Sequence, residues 1–164
     1  MNTVTRIHDE LFGELEYEKK FWRGEMTIKM FNVQRKIWLS VDGHEDADFS
    51  NVQRDAFRNF VQSMNYIISE AEKEVYAYYS ENVDEYREIL EEELQENKIA
   101  PKIDFLTRLA ELVKPTELIV RRVRKNGKRR LGLLCDVSWE MEDGLGIKIE
   151  DEVVEEVGYQ DIVL

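Results

Sequence analysis

Alternating hydrophobic and polar residues fill the first 43 positions of the chain and predict three short strands. The apolar positions of the three runs are Leu15 and Tyr17, then Met26, Ile28 and Met30, then Ile37, Leu39 and Val41. A period of two is typical of strands that bury one face. We expect turns at Lys19–Gly24 and Asn32–Gln34, and the last run ends at Asp42-Gly43.

A helical period replaces this alternation after residue 50. Ser50 and Gln53 fit a capping box, in which each side chain accepts a hydrogen bond from the backbone amide of the other residue. Apolar residues, Val61 among them, then recur at steps of three and four from Phe57 to Tyr78. This spacing predicts one long amphipathic helix, with a break near Asn65, that covers the sheet.

Two further helices are expected before the chain returns to strands. The segment Asp84–Asn97 has helical propensity and is strongly acidic, with a narrow apolar seam. A third helix is predicted over Asp104–Val113, and its buried residues would be Phe105, Leu106, Leu109 and Leu112. Pro115 would end this helix, because the residue before a proline is pushed out of the α region.

The last fifty residues predict a β-meander. Leu118–Arg124 and Arg129–Trp139 are strand-like runs separated by Asn126-Gly127, a dipeptide that favours φ > 0 at both central turn positions. A two-residue loop there places Val120 opposite Leu133. One face of the hairpin then carries Leu118, Val120, Leu131, Leu133 and Cys135, continued by Val137 and Trp139.

A second C-terminal hairpin extends the same apolar face. Ile147 and Ile149 join that face if the preceding loop has an odd number of residues, and Glu142-Asp143-Gly144 supplies three. A last strand is predicted over Val153–Val157. We therefore expect one α+β domain over residues 1–164, with an antiparallel sheet of N-terminal and C-terminal strands packed against about three central helices.

Composition limits the partners and the compartment. The 164 residues carry a formal net charge of -12, which disfavours nucleic acid and anionic membrane as partners. No uncharged apolar run approaches the roughly 18 residues of a membrane-spanning helix. The only cysteine excludes an intrachain disulfide, and the first ten residues do not resemble a secretory signal. A cytoplasmic location is expected.

A basic run interrupts this acidic chain. Its seven basic side chains are Arg121, Arg122, Arg124, Lys125, Lys128, Arg129 and Arg130. The predicted register places Arg124 opposite Arg129, and like charges across strands destabilise a sheet. Neighbouring carboxylates, an acidic partner or a phosphate would compensate. The simpler interpretation is a hairpin tip that projects into water or lies near the acidic helix.

Other side chains give little indication of chemistry. The acidic residues after Asp136 lack the glycine of a calcium loop, because Met141 stands at its sixth position. His8 and His44 belong to no ligand-spaced cluster, and Cys135 alternates into the apolar face. The tryptophans are expected to pack within strands, whereas an exposed one would mark a contact hot spot: Trp22, Trp38 and Trp139. We predict no catalytic residue, metal or cofactor.

Several short motifs lie along the chain: Phe12-Gly-Glu-Leu-Glu-Tyr17, the strand around Trp22, the helix opening near Gln53, Cys135-Asp-Val-Ser-Trp139, Gly144-Leu-Gly146 and Gly158-Tyr-Gln-Asp161. With these motifs the chain resembles a bacterial family of uncharacterised cytosolic proteins. The resemblance runs nearly end to end and implies no catalytic residues. Some similar small acidic proteins are proposed as immunity proteins that neutralise toxins.

The leading functional hypothesis is a non-catalytic protein-binding module, such as an immunity-type inhibitor of a basic toxin or nuclease. The predicted contact residues are Glu85, Glu88, Glu92 and Glu96 on the acidic helix, with Arg122, Arg124 and Arg129 in the basic run. One alternative is a small enzyme or ligand carrier whose site is assembled from distant residues. Another is a nucleic-acid contact through residues 121–130. Homo-oligomerisation is left open.

Overall fold

An eight-stranded sheet is the main element of the protein, whose computed structural model describes residues 4–90 and 98–164. The strands are β1 (Arg6–Asp9), β2 (Gly13–Glu18), β3 (Phe21–Met30), β4 (Val33–Asp42), β5 (Val113–Val120), β6 (Arg130–Val137), β7 (Glu140–Glu150) and β8 (Val153–Gly158). The helices are α1 (Asn51–Gln62), α2 (Met64–Glu88) and two 3-10 helices, Leu106–Glu111 and Gln160–Ile162.

The strands lie across the sheet in the order in which they follow along the chain. Neighbouring strands are antiparallel except β4 and β5, which are parallel, with Leu39 beside Leu118. Parallel neighbours need a long crossover connection, and both α-helices lie in this one. The α+β class is therefore confirmed, and both ends of the chain contribute strands to one mostly antiparallel sheet.

The three predicted N-terminal strands correspond to β2, β3 and β4, whereas β1 was not predicted. The turn expected over Lys19–Gly24 is wrong beyond Lys20, since β3 begins at Phe21 and Trp22 is fully buried. The turn expected over Asn32–Gln34 lies one position earlier, between β3 and β4.

Three hairpins turn without glycine at their central positions. Lys19 and Lys20, Phe31 and Asn32, and Asp151 and Glu152 all have positive φ. Two-residue hairpin turns of this kind match the right-handed twist of the strands, and glycine or asparagine usually supplies the positive φ. The sequence lacks that signal at two of the three turns, which is why the strand boundaries were misplaced.

The capping box at the start of α1 is confirmed. The Ser50 hydroxyl accepts from the Gln53 amide at 3.1 Å, and the Gln53 side chain accepts from the Ser50 amide at 3.0 Å. The predicted long helix divides at Ser63, close to the expected position Asn65. Because α2 continues to Glu88, the start of the acidic segment belongs to α2, and residues 91–97 lie outside the described residues.

The division at Ser63 changes which side chains are buried. Val61 was expected in the apolar stripe but is 46% exposed. Near the other end of the stripe, Tyr79 is buried instead of Tyr78. A helix that stops and restarts does not keep one continuous 3.6-residue phase, so a stripe drawn through the break misplaces residues on both sides.

A 3-10 helix, Leu106–Glu111, takes the place of the third helix predicted over Asp104–Val113. Leu109 and Leu112 are buried as expected, but Phe105 is 57% exposed. The short helix buries only part of the expected face, because β5 begins before another turn can form.

Pro115 lies inside β5 and does not end a helix, which corrects the prediction. The strand starts at Val113, and its register with β6 shifts between Pro115 and Glu117. Proline donates no backbone hydrogen bond, so within sheets it is tolerated at such irregularities.

The register of the β5–β6 hairpin differs by two residues from the prediction. Val120 lies opposite Leu131 and not opposite Leu133. A slip of two keeps every side chain on its face. The predicted apolar face is therefore confirmed, and its members are all buried: Leu118, Val120, Leu131, Leu133 and Cys135.

The turn of this hairpin also differs from the prediction. Within the described segment 121–130, Gly127 alone has positive φ, and its amide donates to the Arg124 carbonyl at 2.9 Å. The turn therefore centres on Lys125-Asn126. Asn126-Gly127 would have needed positive φ at both residues.

The β6–β7 turn lies at Ser138-Trp139, which corrects the loop predicted at Glu142-Asp143-Gly144. Val137 pairs with Glu140, so the predicted loop residues belong to β7. Gly144 does have the expected positive φ of 55°, but it lies inside β7, where the register with β6 shifts, and not in a loop.

The predicted strands Leu118–Arg124 and Arg129–Trp139 end earlier, at Val120 and Val137, so Trp139 lies in the turn. Two further C-terminal predictions are confirmed. Ile147 and Ile149 join the buried face, opposite Leu133 and Leu131. The strand expected over Val153–Val157 corresponds to β8, which pairs with β7.

Buried residues of the helices and of one sheet face form a common core. On that face α1 contacts β5 and β6, while α2 contacts β3 and β8. The opposite face is covered locally by the C-terminal 3-10 helix, where a Cβ on Gly132 would lie only 2.6 Å from the Cβ of Val163. Every helix in the described stretches is too short or too polar to cross a lipid bilayer.

Candidate functional site

Aromatic rings join the C-terminal end of α2 to the β6–β7 turn. Tyr79 and Tyr86 are two helical turns apart, so they project from the same side of α2. The ring centroid of Trp139 lies 4.7 Å from that of Tyr79 and 5.6 Å from that of Tyr86. The Trp139 and Tyr86 rings are stacked at an interplanar angle of 20°. This stack forms a rigid base at the end of the helix.

The phenol groups of this base are held in the neutral form. Burial raises the pKa of Tyr79 to about 12, and its hydroxyl donates to the Pro101 carbonyl at 2.5 Å. Burial and a hydrogen bond with Tyr78 raise the pKa of Tyr86 well above its usual range. Tyr86, which is partly exposed, therefore presents an uncharged ring at neutral pH, and the buried Tyr79 supports it.

Carboxylates surround the exposed margin of the aromatic base. The charge of Tyr78, partial burial and the carboxylates of Glu140, Asp143 and Glu85 together raise the pKa of Tyr159. The Asp143 amide donates to Glu140 Oε1 at 3.2 Å, which places both residues at one rim. We call this surface the acidic aromatic patch, and its members are Tyr86, Trp139, Tyr159, Glu85, Glu140 and Asp143.

The patch is accessible, and its carboxylates form no ion pair within residues 4–90 and 98–164. Tyr159 is 46% exposed, and Met141, next to Glu140 in the chain, is 89% exposed. The ion pairs of these residues involve other carboxylates and leave out Glu85, Glu140 and Asp143. A basic group of a partner would meet negative charge here that the described residues do not pair.

The structure places only part of the predicted acidic contact surface. Glu85 and Glu88 are exposed on the last turn of α2. Glu92 and Glu96 lie outside the described residues. The structure also places Glu85 so that its charge raises the pKa of Tyr159 together with the charges of Glu140 and Asp143, which are more than fifty positions away in the chain. Sequence analysis missed this association because it depends on how α2 docks against the β6–β7 turn.

Carboxylates of neighbouring turns neutralise much of the basic run. Arg129 donates to both carboxylate oxygens of Glu152, at 2.8 and 3.0 Å. Arg122 lies 3.4 Å from Asp42 and 3.1 Å from Asp48. Hydrogen bonds from His44 and Arg122 hold the pKa of Asp48 well below its usual range. The expected compensation therefore comes from neighbouring turns.

The predicted arginines consequently differ in their availability. Arg122 and Arg129 are half-buried and engaged within the chain, whereas Arg124 is exposed at the hairpin turn. A role for these three residues in partner binding stays a prediction.

Comparison with known proteins places the chain in a family. The family model described as Domain of unknown function (DUF6985) matches residues 11–164. The chain belongs to the DUF6985 family. No curated protein and no solved structure matches it significantly. The family expected from the short motifs is thus confirmed only as a domain of unknown function that covers nearly the whole chain.

The DUF6985 domain also has an open crevice beside an exposed tryptophan. Pairing between β2 and β3 stops at Glu16 and Arg23, and a Cβ on Gly24 would lie 2.5 Å from the Glu14 carbonyl oxygen. The β2 backbone therefore still lies against Gly24 where regular pairing has stopped, and residues of both strands line an open crevice of about 460 Å³. Trp38 lines it, is 45% exposed, and carries the Arg23 guanidinium 4.4 Å from its ring centroid.

Trp38 therefore differs from the other tryptophans of the domain. Trp22 is fully buried, and Trp139 is half-buried in the aromatic base. Trp38 points to the outer face of β4, so the packing role predicted for all three does not hold for it. Strand alternation carried this signal, because Ile37 and Leu39 point to the core on either side of it.

The reactive side chains of the DUF6985 domain are engaged in structural contacts. Cys135 is fully buried, and burial raises the pKa of its thiol far above the usual range, which disfavours a nucleophile. His44, Asp46 and Asp48 could supply metal ligands, because their ligand atoms lie within 4.8 Å of one another. Arg122 already lies 2.8 Å from His44 Nδ1, however, and its charge disfavours a cation there.

Proposed function

We propose that this DUF6985 domain is a non-catalytic binding module that receives a basic segment of another protein on its acidic aromatic patch. The observation that carries the proposal is that the charges of Glu85, Glu140 and Asp143 all act on Tyr159, while none of the three carboxylates forms an ion pair with a described residue. Charged side chains usually acquire partners or remain dispersed, whereas these converge on an aromatic surface.

The chemistry of the patch suits an arginine side chain of the partner. A guanidinium can stack on an aromatic face while it donates hydrogen bonds to carboxylates. Tyr159 and Trp139 offer such faces, and Glu140 and Asp143 offer acceptors beside them. Arginine should bind better than lysine, because a planar fork can use both contacts at once.

The whole chain supports attraction of a basic partner. A formal net charge of -12 steers cationic proteins toward the surface and raises their association rate at low ionic strength. A basic toxin or nuclease is such a partner, and an immunity-type inhibitor is the finer form of the proposal.

Peptide titration tests the proposed specificity. A fluorescent arginine-rich peptide should bind the protein with an affinity that falls steeply with salt, a lysine-rich peptide more weakly, and a glutamate-rich peptide undetectably. Glu85→Gln with Asp143→Asn should weaken the arginine-rich peptide about tenfold or more. Glu74→Gln, an exposed change elsewhere on α2, is the matched control and should leave affinity unchanged.

The peptide experiment has clear contrary outcomes. Equal loss of affinity in the Glu74→Gln control would show that net charge alone attracts the peptide. An unchanged affinity in the double variant would remove the patch from the binding surface. Either result contradicts the proposal.

The crevice beside Trp38 favours the alternative hypothesis of a ligand carrier. Three carboxylates, those of Glu14, Glu16 and Glu25, line it together with Trp38. A small organic cation such as an arginine or polyamine should then quench Trp38 fluorescence. Comparison with Trp38→Phe isolates that signal from the other tryptophans, and no difference between the two proteins would dispose of this alternative.

A further inference from the structure

One edge of β3 is open along most of its length. The strand pairs with β4 over all ten of its residues, from Phe21 to Met30. With β2 it pairs only over Phe21–Arg23. Among the strands of residues 4–90 and 98–164, Gly24 to Met30 therefore have a pairing strand on one side only, and an unpaired strand edge is a template for another strand.

The hairpin geometry shows which backbone groups face the open side. The two-residue turn Phe31–Asn32 makes Met30 and Val33 a hydrogen-bonded pair. Hydrogen-bonded and non-hydrogen-bonded pairs alternate along an antiparallel ladder. The backbone groups of Glu25, Thr27 and Lys29 therefore point away from β4, and all three side chains are exposed.

This edge is complementary to itself. We propose that it pairs antiparallel with the same edge of a second copy of the chain, with Thr27 opposite Thr27. Glu25 of each copy then lies opposite Lys29 of the other, which gives two opposite-charge cross-strand pairs around a two-fold axis. The two sheets join into one continuous sheet, and each copy satisfies the open backbone groups of the other.

Charge selects this register over its neighbours. Pairing centred on Glu25 places two glutamates opposite each other, and pairing centred on Lys29 places two lysines opposite each other. Pairing centred on Met26, in which the partner of each residue moves by two positions, sets Lys29 opposite Arg23. Like charges directly across strands are destabilising, so the Thr27 register is the one that charge favours.

The end of β2 pairing sets one limit of the segment that a second copy can use. In the Thr27 register, Gly24 lies opposite Met30 of the second copy. Pairing of β2 with β3 stops at Arg23, so the ten-residue strand offers its edge from Gly24 to Met30.

A charge swap tests the pairing directly. Sedimentation equilibrium of the full chain should show a concentration-dependent dimer. Lys29→Glu, which places two carboxylates opposite each other at both ends, should raise the dimer dissociation constant about tenfold or more. The double variant Glu25→Lys with Lys29→Glu restores both opposite-charge pairs and should return the dissociation constant to within about threefold of the original.

Two further variants keep the result interpretable. Lys114→Glu makes the same charge change at an exposed position of β5, away from the open edge, and should leave the dimer unchanged. Thr27→Pro removes an amide that faces the open side, so the variant should stay monomeric while circular dichroism shows a folded protein. A monomeric parent at all concentrations, or failure of the charge swap to restore the dimer, would overturn the proposal.

The dimer and the peptide-binding patch are separable. The proposed edge lies on β3, whereas the acidic aromatic patch lies at the end of α2 and the β6–β7 turn. Glu85→Gln should therefore leave the dimer unchanged, and Lys29→Glu should leave binding of the arginine-rich peptide unchanged.

Discussion

The basic hairpin and the acidic aromatic patch both concentrate like charges, but only the first neutralises them. In the hairpin, Arg129 is held by Glu152 and Arg122 by Asp48. In the patch, the carboxylates of Glu140 and Asp143 form no ion pair within the described part of the chain. The hairpin arginines form ion pairs with carboxylates of neighbouring turns, whereas the patch carboxylates remain open to a partner.

This difference suggests how to separate structural from functional charge in a protein of unknown activity. A bidentate arginine–carboxylate pair at a turn contributes to the fold, because breaking it leaves a poorly solvated partner. Uncompensated carboxylates beside aromatic rings repel one another and do not stabilise the fold. Proteins tolerate such an arrangement mainly where it serves binding.

Removing the aromatic base of the patch has the largest expected effect. Trp139→Ala should lower the free energy of unfolding by about 3 kcal/mol, because the ring contacts Tyr79 and Tyr86 and its removal leaves a cavity. Urea denaturation measures this. Tyr159→Ser, at the exposed rim, should cost less than about 1 kcal/mol. Equal losses in the free energy of unfolding for the two variants would show that the base and the rim contribute equally to stability, contrary to this prediction.

A paired carboxylate elsewhere predicts a pH dependence. Burial raises the pKa of Asp9, but hydrogen bonds from Arg54 and from the Phe12 and Leu11 amides outweigh it and hold this pKa at about 2. A pKa below the unfolded value of about 3.9 contributes stability that is present above pH 4 and is lost as the pH falls through 2.

The size of that acid-dependent loss is about 2 kcal/mol, from the difference between the folded and unfolded pKa. Urea titrations between pH 5 and pH 2 measure it, with Asp9→Asn as the control that should lack this component. The same loss in Asp9→Asn as in the parent protein would assign the pH dependence to other groups.

Breaking the hairpin pair should have a smaller effect. A double-mutant cycle of Arg129→Met and Glu152→Gln should give a coupling energy of about 1 kcal/mol, because the pair is bidentate but partly exposed. Chemical denaturation of the four proteins supplies the cycle. A coupling energy near zero would show that the Arg129–Glu152 pair does not stabilise the fold, and the hairpin would then not differ from the patch in this respect.

Neutralising the patch should have the smallest effect on stability, with the opposite sign. Glu85→Gln with Asp143→Asn should raise the free energy of unfolding by about 0.5 kcal/mol, because carboxylate repulsion is relieved. Glu74→Gln is the control and should change stability by less. A loss of stability in the double variant would mean that these carboxylates have structural partners, and the comparison of the two regions would fail.

Local patterns predicted much of the fold. The capping box of Ser50 and Gln53 needs only residues three apart, and the alternation that buries Leu131 and Leu133 is visible within one strand. Such features depend on short-range geometry, which the sequence contains directly. They were found correctly even where a strand boundary was misplaced.

The errors arose where the conformational preference of a single residue conflicted with strand pairing in the folded protein. Lys20 adopts a positive φ without being glycine, and Pro115 is accommodated at a register shift inside a strand. The predicted register of the hairpin at Gly127 differs from the observed one by two residues, and the apolar pattern could not separate the two because both bury the same face. In each case pairing with a neighbouring strand outweighed the preference of one residue.

The sequence predicted the type of partner but not the residues that form the candidate site. Net acidity and the exposed Glu85 pointed to a basic partner, but nothing in the chain linked Glu85 to Asp143 or Tyr159. The open edge of β3 was equally hidden, because it depends on where β2 stops pairing.

By itself, the amino-acid sequence determined the element types, the buried faces and the overall negative charge, since each follows from side-chain chemistry and spacing along the chain. The tertiary structure alone decided which charges are neutralised and which strand edge stays open. The reason is physical: these properties depend on distances between residues far apart in the chain, and only docking of the helices and registration of the strands sets those distances.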